Sequence, residues 1–507
     1  MPGTKKISSA LISVYHKDGL EPVIRALHKL NVTLYATGGT QTFIESLSVP
    51  VVPVEELTSY PSILGGRVKT LHPKVFGGIL SRRDNAGDAG QLVEYEIPGI
   101  DLVIVDLYPF EETVSAGAPE EDIIEKIDIG GISLIRAAAK NFHDVVIVPS
   151  LHEYETLLTA LTDSGGFTTL DLRRQLAVRA FAVSSHYDTA IWNWMGTNDR
   201  SEFHVSIPQG RSLRYGENPH QKGYFYGDLE KVFTQLSGKE LSYNNLLDID
   251  AALALTGDFD QPVTAILKHN NACGIAAGPD PMSNWKRALE ADPVSAFGGI
   301  IVTNQPVDES LAAEIGKLFF EVLMAPEFIP GALALLKEKK NRILLQLNKP
   351  QLQDLQYRTI LNGVLAQDRD AAVETASALK TVTRRVPEAS EISDLLFANI
   401  VVKHSRSNTI VLVKEGRLLA AGVGQTSRVD ALQQAIDKAG KFKMDLKGAV
   451  MASDAFFPFP DCVEIAHQAG IAAVIQPGGS IRDQESIDYC DKAGMAMVVT
   501  GTRHFRH

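Results

Sequence analysis

Runs of apolar residues alternate with amphipathic stretches through the first part of the chain, up to residue 195. Apolar runs typical of buried strands occur at 7–14, 32–36, 101–107 and 145–148. A helical spacing of apolar positions predicts helices over 20–30, 132–140, 150–161 and 170–190. Strands that alternate with helices predict a parallel sheet covered on both faces, and ligands of such sheets bind beyond the carboxyl ends of the strands.

The polar stretch 195–200 interrupts this pattern and predicts a domain boundary, so that one domain covers 1–199 and the other covers 200–507. The second region is again α/β in pattern, with a strongly charged surface helix predicted around 336–340. A second break at 387–390 predicts that this region consists of two related halves that divide near residue 385.

Length and composition are typical of a folded protein with more than one domain. A chain of 507 residues is too long for one ordinary core, and 45% hydrophobic with 22% charged residues is a globular composition. The formal net charge of −12 argues against a nucleic-acid backbone as partner, although locally clustered cations can still bind anionic metabolites. No apolar run approaches the ~20 residues of a membrane span and no signal peptide is evident, so we expect a cytoplasmic protein without a membrane partner.

The cysteines are odd in number and far apart, as expected in a reducing cytoplasm: Cys273, Cys462 and Cys490. None belongs to a Cys-x-x-Cys pair. This absence from the sequence argues against a structural zinc site and against the ligand signature of zinc deaminases, so we expect no metal.

The segment 265–274, AILKHNNACG, carries the most informative chemistry. An apolar strand ends abruptly in Lys268, His269 and two amides before a glycine, which predicts polar groups at the edge of a cleft. A histidine accepts a proton near neutral pH, and a neighbouring lysine stabilises negative charge or returns a proton. A loop with a solvated lysine and a structural histidine fits the same pattern, so the segment alone leaves both interpretations open.

Four features at strand ends predict an anion-binding cleft in the first domain. Residues 13–19 (SVYHKDG) and 37–40 (TGGT) each follow a strand and begin a helix, where free N–H groups and the helix dipole favour phosphate. Residues 65–73 (GGRVKTLHP) concentrate cations, glycine and histidine, and the segments 106–109 and 127–131 together form the fourth feature. Taken alone, Asp128 also fits a helix N-cap, and Lys140 fits a partner of the dipole at a helix C-terminus.

These motifs occur in the order found in one family. LRYGENPHQ (213–221), DPVSAFGG (292–299), SDAFFPF (453–459), QPGGS (476–480) and RHFRH (503–507) accompany the Lys268–His269 segment. With the N-terminal features they resemble, essentially end to end, the bifunctional aminoimidazole carboxamide ribonucleotide (AICAR) transformylase/inosine monophosphate (IMP) cyclohydrolase of purine biosynthesis. The resemblance implies an α/β fold: a methylglyoxal synthase-like parallel-sheet domain, then a transformylase region of duplicated cytidine-deaminase-like units without the zinc ligands.

The resemblance assigns the cyclohydrolase residues to the first domain. It implies catalytic roles for Lys69, Tyr108, Asp128 and Lys140, and it places the substrate nucleotide at Ser13, Lys17, Thr37, Gly38 and Arg67. Closing a formamide onto a neighbouring carboxamide needs a base, donors for the developing oxyanion and an acid that expels water. Asp128 suits the base, Lys69 and Tyr108 suit the donors, and Lys140 suits a partner that tunes the carboxylate.

The second region would transfer a formyl group from 10-formyltetrahydrofolate to AICAR. The resemblance implies catalytic roles for Lys268, His269, Asn408 and His507, and nucleotide binding by Arg214, Tyr215, Asn245 and Arg503. Because the amine of AICAR is a weak nucleophile, transfer needs a base at that amine and a cation at the tetrahedral oxyanion. His269 suits the first role and Lys268 the second.

The stretch 456–461 is expected to receive the folate. Phe456, Phe457 and Pro458 would form a wall for the pterin and Asp461 would hydrogen-bond it, while Glu321 stands where some members have Asp. Burial in the core is the alternative for these aromatic residues. The chain departs from the family at 271–272, Asn-Ala, where Pro or Ser-Pro is common.

The resemblance further implies a homodimer with transformylase sites across the subunit interface and small-molecule nucleotide and folate substrates. A zinc-free nucleotide-binding regulatory protein is one alternative, but it predicts loss of Lys268, His269, Asp128 or Lys140, and all are present. A zinc hydrolase is another, which the missing Cys-x-x-Cys and His-x-Glu signatures disfavour.

Overall fold

The computed structural model describes residues 3–196, 201–348 and 352–507. The chain divides into two compact units, one extending to Pro208 and the other covering Gln209–His507. The boundary predicted at residue 199 falls within 197–200, outside the described residues, and stays a prediction. Across the described ranges, no helix combines the length and the apolar character that crossing a membrane requires.

The first unit contains the parallel sheet that the sequence predicts. Its strands are β1 (Lys5–Lys6), β2 (Ser9–Val14), β3 (Thr33–Ala36), β4 (Val52–Pro53), β5 (Leu102–Asp106), β6 (Val146–Val148) and β7 (Phe167–Thr168). The sheet order is β4-β3-β2-β5-β6, all parallel, and β1 pairs with β7 apart from it. Because the strand order reverses at β2, the carboxyl ends of β2, β3 and β5 border the crevice where such sheets bind ligands.

Helices connect the strands and cover the sheet. They are α1 (Leu20–Lys29), α2 (Gly38–Ser46), α3 (Val54–Thr58), α4 (Pro73–Leu80), α5 (Ala86–Glu94), α6 (Phe110–Ser115), α7 (Glu120–Ile124), α8 (Gly130–Lys140), α9 (Tyr154–Asp163) and α10 (Leu170–Met195). Short 3-10 turns occur at Leu64–Gly66 and Leu151–Glu153, so the helix predicted from 150 begins as a 3-10 turn. Strand residues such as Leu11 and Ile104 are fully buried, which explains the unbroken apolar runs in the sequence.

The second unit is built on a long mixed sheet. Its strands are β8 (Gly210–Leu213), β9 (Gly223–Tyr226), β10 (Phe233–Ser237), β11 (Val263–Lys268), β12 (Asn271–Ala277), β13 (Ile300–Thr303), β14 (Val322–Ala325), β15 (Ile343–Leu347), β16 (Leu355–Ile360), β17 (Gly363–Asp368), β18 (Lys380–Thr381), β19 (Ile410–Lys414), β20 (Arg417–Gly422), β21 (Val450–Ser453), β22 (Ala473–Gln476) and β23 (Ala496–Val499). Its order is β10-β15-β14-β13-β11-β12-β20-β19-β21-β22-β23-β18, with β8–β9 and β16–β17 as separate hairpins.

The helices of this unit are α11 (Tyr243–Gly257), α12 (Pro281–Ala291), α13 (Glu309–Ile315), α14 (Pro330–Lys337), α15 (Ala389–Lys403), α16 (Arg428–Lys441), α17 (Asp461–Gln468) and α18 (Asp483–Ala493). A 3-10 turn covers Ala376–Ala378. The charged helix predicted around 336–340 is wrong in its bounds. Helix α14 ends at Lys337, and the cluster of charges beyond it has no apolar position with which to continue a buried face.

One order of elements occurs twice in the second unit. The series α11-β11-β12-α12-β13-α13-β14-α14-β15 is followed, after β16–β18, by α15-β19-β20-α16-β21-α17-β22-α18-β23. The pairing is repeated as well: the first strand of each series forms an antiparallel hairpin with the second, an antiparallel pair with the third, and the last three strands are parallel. The predicted division near residue 385 falls just before the second series.

The two copies meet through equivalent strands, because β12 pairs with β20 in an antiparallel sense. An approximate two-fold axis perpendicular to the sheet therefore relates them. Following the strand directions outward from β11, the Lys268 end of β11 shares one edge of the sheet with the carboxyl ends of β21, β22 and β23. We call this edge the Lys268 edge. The hairpin turn of the second copy, after Lys414, lies at the opposite edge.

Close helix–strand packing holds each copy together, and a buried ion pair joins the two copies. A Cβ added at Gly274 in β12 would lie 1.9 Å from the carbonyl oxygen of Ala288, and one at Gly422 in β20 would lie 1.8 Å from that of Ala431. Each glycine thus lets the next helix of its own copy approach the strand closely. At the helix ends, Lys403 Nζ lies 2.9 Å from Asp258 Oδ2, which also bonds His404 Nε2 at 2.6 Å.

We predict that Gly274→Ala and Gly422→Ala each destabilise the second unit by about 2–3 kcal/mol, because backbone must move to admit the methyl group. Thermal unfolding of the full chain should show a transition lowered by about 5 °C or more. Gly440→Ala is the matched control, since nothing lies within 4 Å of its added Cβ and the site is helical. A transition unchanged by Gly274→Ala would show that the close approach is not required.

Two candidate active sites

A cavity of about 790 Å3 opens at the carboxyl ends of β2, β3 and β5. All four features that the sequence singled out contribute to its lining, which consists of Ser13, Val14, Tyr15, Lys17, Thr37, Gly39, Thr40, Gly65, Gly66, Arg67, Lys69, Thr70, Asp106, Tyr108, Ile124, Glu125, Lys126, Ile127, Asp128, Ile129, Gly130 and Gly131. Segments that are distant in sequence meet here because parallel strands end at one edge.

One end of this cavity is suited to an anion. Ser13 Oγ and Thr37 Oγ1 lie 3.3 Å apart, and helix α2 begins directly after Thr37, with Gly39 and Thr40 in the lining. Lys17 Nζ donates to the carbonyls of Val14 at 2.5 Å and Tyr15 at 2.8 Å. Hydroxyls, an ammonium and the first N–H groups of a helix form a typical phosphate-binding arrangement.

Glycines make room for Lys69. A Cβ on Gly38 would lie 3.5 Å from Lys69 Nζ, and one on Gly66 would lie 3.0 Å from it. The neighbouring Thr70 Oγ1 would lie 3.0 Å from a Cβ on Gly130, at the start of α8. The 69–70 segment therefore spans the space between the beginnings of α2 and α8, and it connects the anion-binding end with Asp128.

Asp128 has the environment of a base. Its Oδ1 accepts the N–H of Gly131 at 2.6 Å, and its own N–H donates to Tyr187 Oη at 2.9 Å. Burial raises the pKa of Asp128, although N–H groups of Gly131, Tyr108 and Ile132 oppose the shift. Burial, together with the Asp128 charge, also raises the pKa of Tyr108, so its hydroxyl remains a donor at neutral pH.

Lys140 does not lie in this cavity. It is the exposed last residue of α8, and about 15 Å along the helix axis separate it from Gly130, at the end where Asp128 lies. The expectation that Lys140 tunes the Asp128 carboxylate therefore does not hold within one chain. Its position at a helix C-terminus matches the alternative role as a dipole partner.

Two cavity residues had no clear signal in the sequence. Lys126 Nζ lies 5.3 Å from the ring centre of Tyr15 and 5.8 Å from that of Tyr108. Glu125 forms an ion pair with Arg67, which the sequence predicts to bind the nucleotide. Glu125 and Lys126 immediately precede the 127–131 segment. In the sequence, however, a Glu-Lys pair between two elements is typical of any solvent-exposed surface.

The second site surrounds the turn between β11 and β12. A cavity of about 420 Å3 is lined by Glu217, Asn218, Asn244, Leu247, Asp248, His269, Asn270, Asn271 and Arg406. His269 is exposed to it, and Lys268 Nζ donates to the carbonyl of Phe297 at 2.8 Å. Asn271 joins the two copies, because its Oδ1 accepts the Arg406 N–H at 3.3 Å.

The predicted nucleotide residues lie around this cavity rather than in its lining. Arg214 and Tyr215 follow β8 in the loop that brings Glu217 and Asn218 to it, with the Arg214 guanidinium 5.6 Å from the Tyr215 ring. Asn245 is buried, and its amide is engaged in the capping box of α11 and with Glu321 Oε2 at 3.2 Å. Glu321 also lies 3.4 Å from Lys239 Nζ.

Asn408 and the segment 500–507 are held together on the Lys268 edge. Asn408 Nδ2 donates to the carbonyls of Gln425 at 3.0 Å and Thr426 at 3.2 Å. Ser407 N–H donates to the Arg506 carbonyl at 2.9 Å, and Arg506 N–H donates to Ser407 Oγ at 3.1 Å. These bonds fix the flanks of Arg503 and His507, both exposed, beside Asn408.

His504 attaches the segment 500–507 to two further carboxylates. Its Nδ1 lies 2.6 Å from Asp370 Oδ2 and its Nε2 lies 3.1 Å from Glu374 Oε1. Burial alone lowers the pKa of His504, but its hydrogen bonds with Glu374 and Asp370 outweigh burial and raise the pKa. An imidazole held between two carboxylates thus ties down a segment that would otherwise fray.

One of the aromatic residues predicted to contact the folate belongs to the hydrophobic core. Phe457 is fully buried among core residues, so its ring is not available to a ligand, as the alternative interpretation has it. Phe456 and Phe459 are 36% and 48% exposed, and the Arg482 guanidinium lies 4.9 Å from the Phe459 ring. Phe456, Pro458 and Asp461 follow β21 on the Lys268 edge, and their role stays a prediction.

The sheet spreads these groups apart. Four strand spacings separate β11 from β21, so the strand ends that carry the Lys268–His269 turn and the 456–461 segment lie about 19 Å apart within the chain. Arg428 was not foreseen: it lies at the start of α16, 3.6 Å from the buried Asp454 and 5.8 Å from the Phe505 ring. Single arginines in amphipathic helices carry no distinguishing sequence signal.

Comparisons with known proteins agree over the whole chain. A family model described as AICARFT/IMPCHase bienzyme matches residues 138–438, and one described as an MGS-like domain matches 19–133. The Bifunctional purine biosynthesis protein PurH of Bacteroides thetaiotaomicron is 59% identical, covering 100% of both chains. The proteins of the same name from Rhodospirillum rubrum and Aquifex aeolicus are 47% and 46% identical, covering 98% or more of each chain.

Among solved structures, the crystal structure of ForH is 34% identical, covering 38% of this chain and all of its own, with a TM-score of 0.33. That score is too low to support an argument about fold.

We predict that attachment of the segment 500–507 depends on pH. Because folding raises the pKa of His504, its stabilising contribution is fully present below its ordinary value of 6.5 and is lost as the pH rises through the folded value. Hydrogen-exchange protection factors of 500–507 should fall over that window, and His504→Asn should lower them at all pH values. His467→Asn, at an exposed histidine, is the control. Equal protection from pH 6 to pH 9 would contradict the anchor.

Proposed function

We infer that the two sites are the active sites of one bienzyme, because this chain belongs to the AICARFT/IMPCHase bienzyme family. It is a bifunctional enzyme of purine biosynthesis, an AICAR formyltransferase and IMP cyclohydrolase. The observation that carries this conclusion is agreement with PurH relatives over the full length of both chains. Nothing supports the alternative of a regulatory nucleotide-binding protein.

The cavity of the first unit is proposed as the cyclohydrolase site. Asp128 takes the proton of the attacking carboxamide nitrogen as that nitrogen bonds to the formyl carbon of formyl-AICAR. Lys69 and Tyr108 donate to the oxygen that becomes negative. This oxygen leaves as water, with the proton taken up by Asp128 and the N–H proton of the former formamide, and the ring of IMP is complete. Ser13, Lys17, Thr37 and the start of α2 hold the phosphate. The reaction is intramolecular, so holding the reacting atoms together supplies much of the rate.

The Lys268 edge is proposed as the transformylase site. His269, exposed at the turn, takes a proton from the AICAR amine as it attacks the formyl carbon of the donor. The Lys268 ammonium, already oriented by the Phe297 carbonyl, stabilises the tetrahedral oxyanion. Collapse breaks the bond to the folate nitrogen, which is protonated as it leaves, and formyl-AICAR and tetrahydrofolate are released. Asn408, Arg503 and His507 act from the adjoining segments.

Formyl transfer requires a folate-type formyl donor, and we propose 10-formyltetrahydrofolate. The exposed ring of Phe456 beside Pro458, followed by the Asp461 carboxylate, fits a flat ring rich in donors. No group of three or more metal-ligating side chains occurs in the part of the chain that the structure describes. The proposed chemistry uses the chain's own acids, bases and cations.

We also propose a homodimer that completes the transformylase site. Groups about 19 Å apart along one sheet edge would need a second subunit to meet. The β16–β17 hairpin supports this proposal, since Leu361 at its tip is 99% exposed and Tyr357, Ile360 and Leu365 are exposed along it. A likeness of the repeated units to cytidine deaminases, and a cytoplasmic location, stay predictions.

We predict that the two activities are separable by mutation. His269→Ala should reduce formyl transfer at least about 100-fold, the usual effect of removing a general base, while cyclisation of supplied formyl-AICAR is unchanged. Asp128→Asn should reduce cyclisation while formyl transfer is unchanged. Absorbance assays of tetrahydrofolate and IMP formation on purified full-length protein measure the two steps separately.

Exposed residues provide matched controls, namely His467→Ala for the histidine and Asp163→Asn for the carboxylate. Both should leave each activity intact. If folded His269→Ala protein lost both reactions, or if Asp128→Asn left cyclisation intact, the assignment of the two sites would be wrong.

A further inference from the structure

The turn that carries His269 has an unfavourable backbone conformation. His269 and Asn270 form the two-residue connection between β11 and β12, closed by the pair Lys268 and Asn271. Their φ angles are 51° and 64°, in the left-handed region that favours glycine. Two-residue hairpins of this kind need positive φ at both positions, which Asn-Gly and Gly-Gly pairs adopt most readily, and neither residue of this turn is a glycine. The catalytic imidazole is therefore held on backbone that needs support from outside the turn.

Asp248 provides a contact of this kind. Its Oδ1 accepts the Asn270 N–H at 2.6 Å, from a helix that packs against β11. Asp248 sits in the middle of α11, so its position is fixed by the helix rather than by a loop. This hydrogen bond is short and links a rigid element directly to the residue after His269.

The second copy preserves the same arrangement without the catalytic residues. Its turn is Glu415–Gly416, with φ angles of 54° and 65°, closed by Lys414 and Arg417. Asp394 accepts the N–H groups of Glu415 at 2.7 Å and Gly416 at 2.6 Å. Asp248 and Asp394 are each the sixth residue of their helix, since α11 begins at 243 and α15 at 389.

The repetition shows whether the carboxylate serves the shape of the turn or the chemistry of His269. The second turn has no histidine and lies at the opposite edge, yet its carboxylate is kept at the same helical position. Burial raises the pKa of both Asp248 and Asp394, and turn N–H groups oppose the shift in both. The shared function of the pair is thus to hold the turn, and that function does not depend on substrate.

We propose that Asp248 is a positioning residue for formyl transfer, which acts by fixing the turn that carries His269. The inference rests on the proposed role of His269 as the base. Without the Asp248 acceptor, the turn relaxes and the imidazole moves from the attacking amine. A displacement of about 1 Å can cost 100-fold in rate while the binding groups remain in place.

The test compares Asp248→Ala, Asp248→Asn and Asp394→Ala in the full chain. Asp248→Ala should lower kcat for formyl transfer about 30- to 100-fold, with KM values for AICAR and folate changed less than about threefold. Asp248→Asn should recover most of the loss, because the amide oxygen can accept the same N–H. Asp394→Ala removes the equivalent contact of the other turn, so it should lower thermal stability but leave kcat within about twofold.

Each outcome bears on the inference. Asp248→Ala with normal kcat, or Asp394→Ala with an equal loss, would overturn it, the latter because the loss would then be general destabilisation. Asp248→Asn as inactive as Asp248→Ala would also overturn it, because the negative charge rather than the hydrogen bond would be required. His269→Ala is included so that an active His269→Ala enzyme identifies failure of the proposed base instead.

Discussion

The antiparallel contact between β12 and β20 is the constraint on which the second unit depends. Since equivalent strands of the two copies meet there, every edge of the sheet contains opposite ends of equivalent strands. The turn with Lys268 and His269 comes from the first copy, while the loops after β21, β22 and β23 come from the second. The proposed transformylase site on this edge therefore draws on both copies, and neither copy supplies it alone.

Five half-buried carboxylates fall into two groups with different partners. Asp258 and Glu374 face lysine or histidine, and these partners outweigh burial and lower the pKa of both. Asp128, Asp248 and Asp394 are hydrogen-bonded mainly by backbone N–H groups, and burial raises the pKa of each. Carboxylates of the first group join elements together through charge. Those of the second either hold a turn or, as proposed for Asp128, take up a proton.

The sequence predicted the parallel sheet of the first unit and the cavity at its strand ends, because buried strands and Gly-containing turns leave local patterns. It also placed the polar turn after β11. It did not predict where Lys140 lies, since a helical period shows which face a residue occupies but not what the far end of the helix approaches. Phe457 shows a similar limit: adjacent aromatic residues are identical in pattern, and only packing decides that one is core and its neighbours are exposed. The sequence did not single out Asp248, because an acidic residue in a mostly apolar helix is usually a solvent-exposed position.

The repeated turns also allow a comparison within one molecule. Where the copy has no chemistry to perform, its second turn residue is Gly416, for which the left-handed conformation carries no steric penalty. Where the proposed base is carried, the turn retains His269 and Asn270 in the same conformation. The first turn residue, His269 or Glu415, is a non-glycine residue with positive φ in both copies, so the two turns differ in backbone strain only at the second residue. The second copy therefore shows which features the shape of the turn needs, namely positive φ and a carboxylate acceptor. The histidine is a feature of the first copy alone.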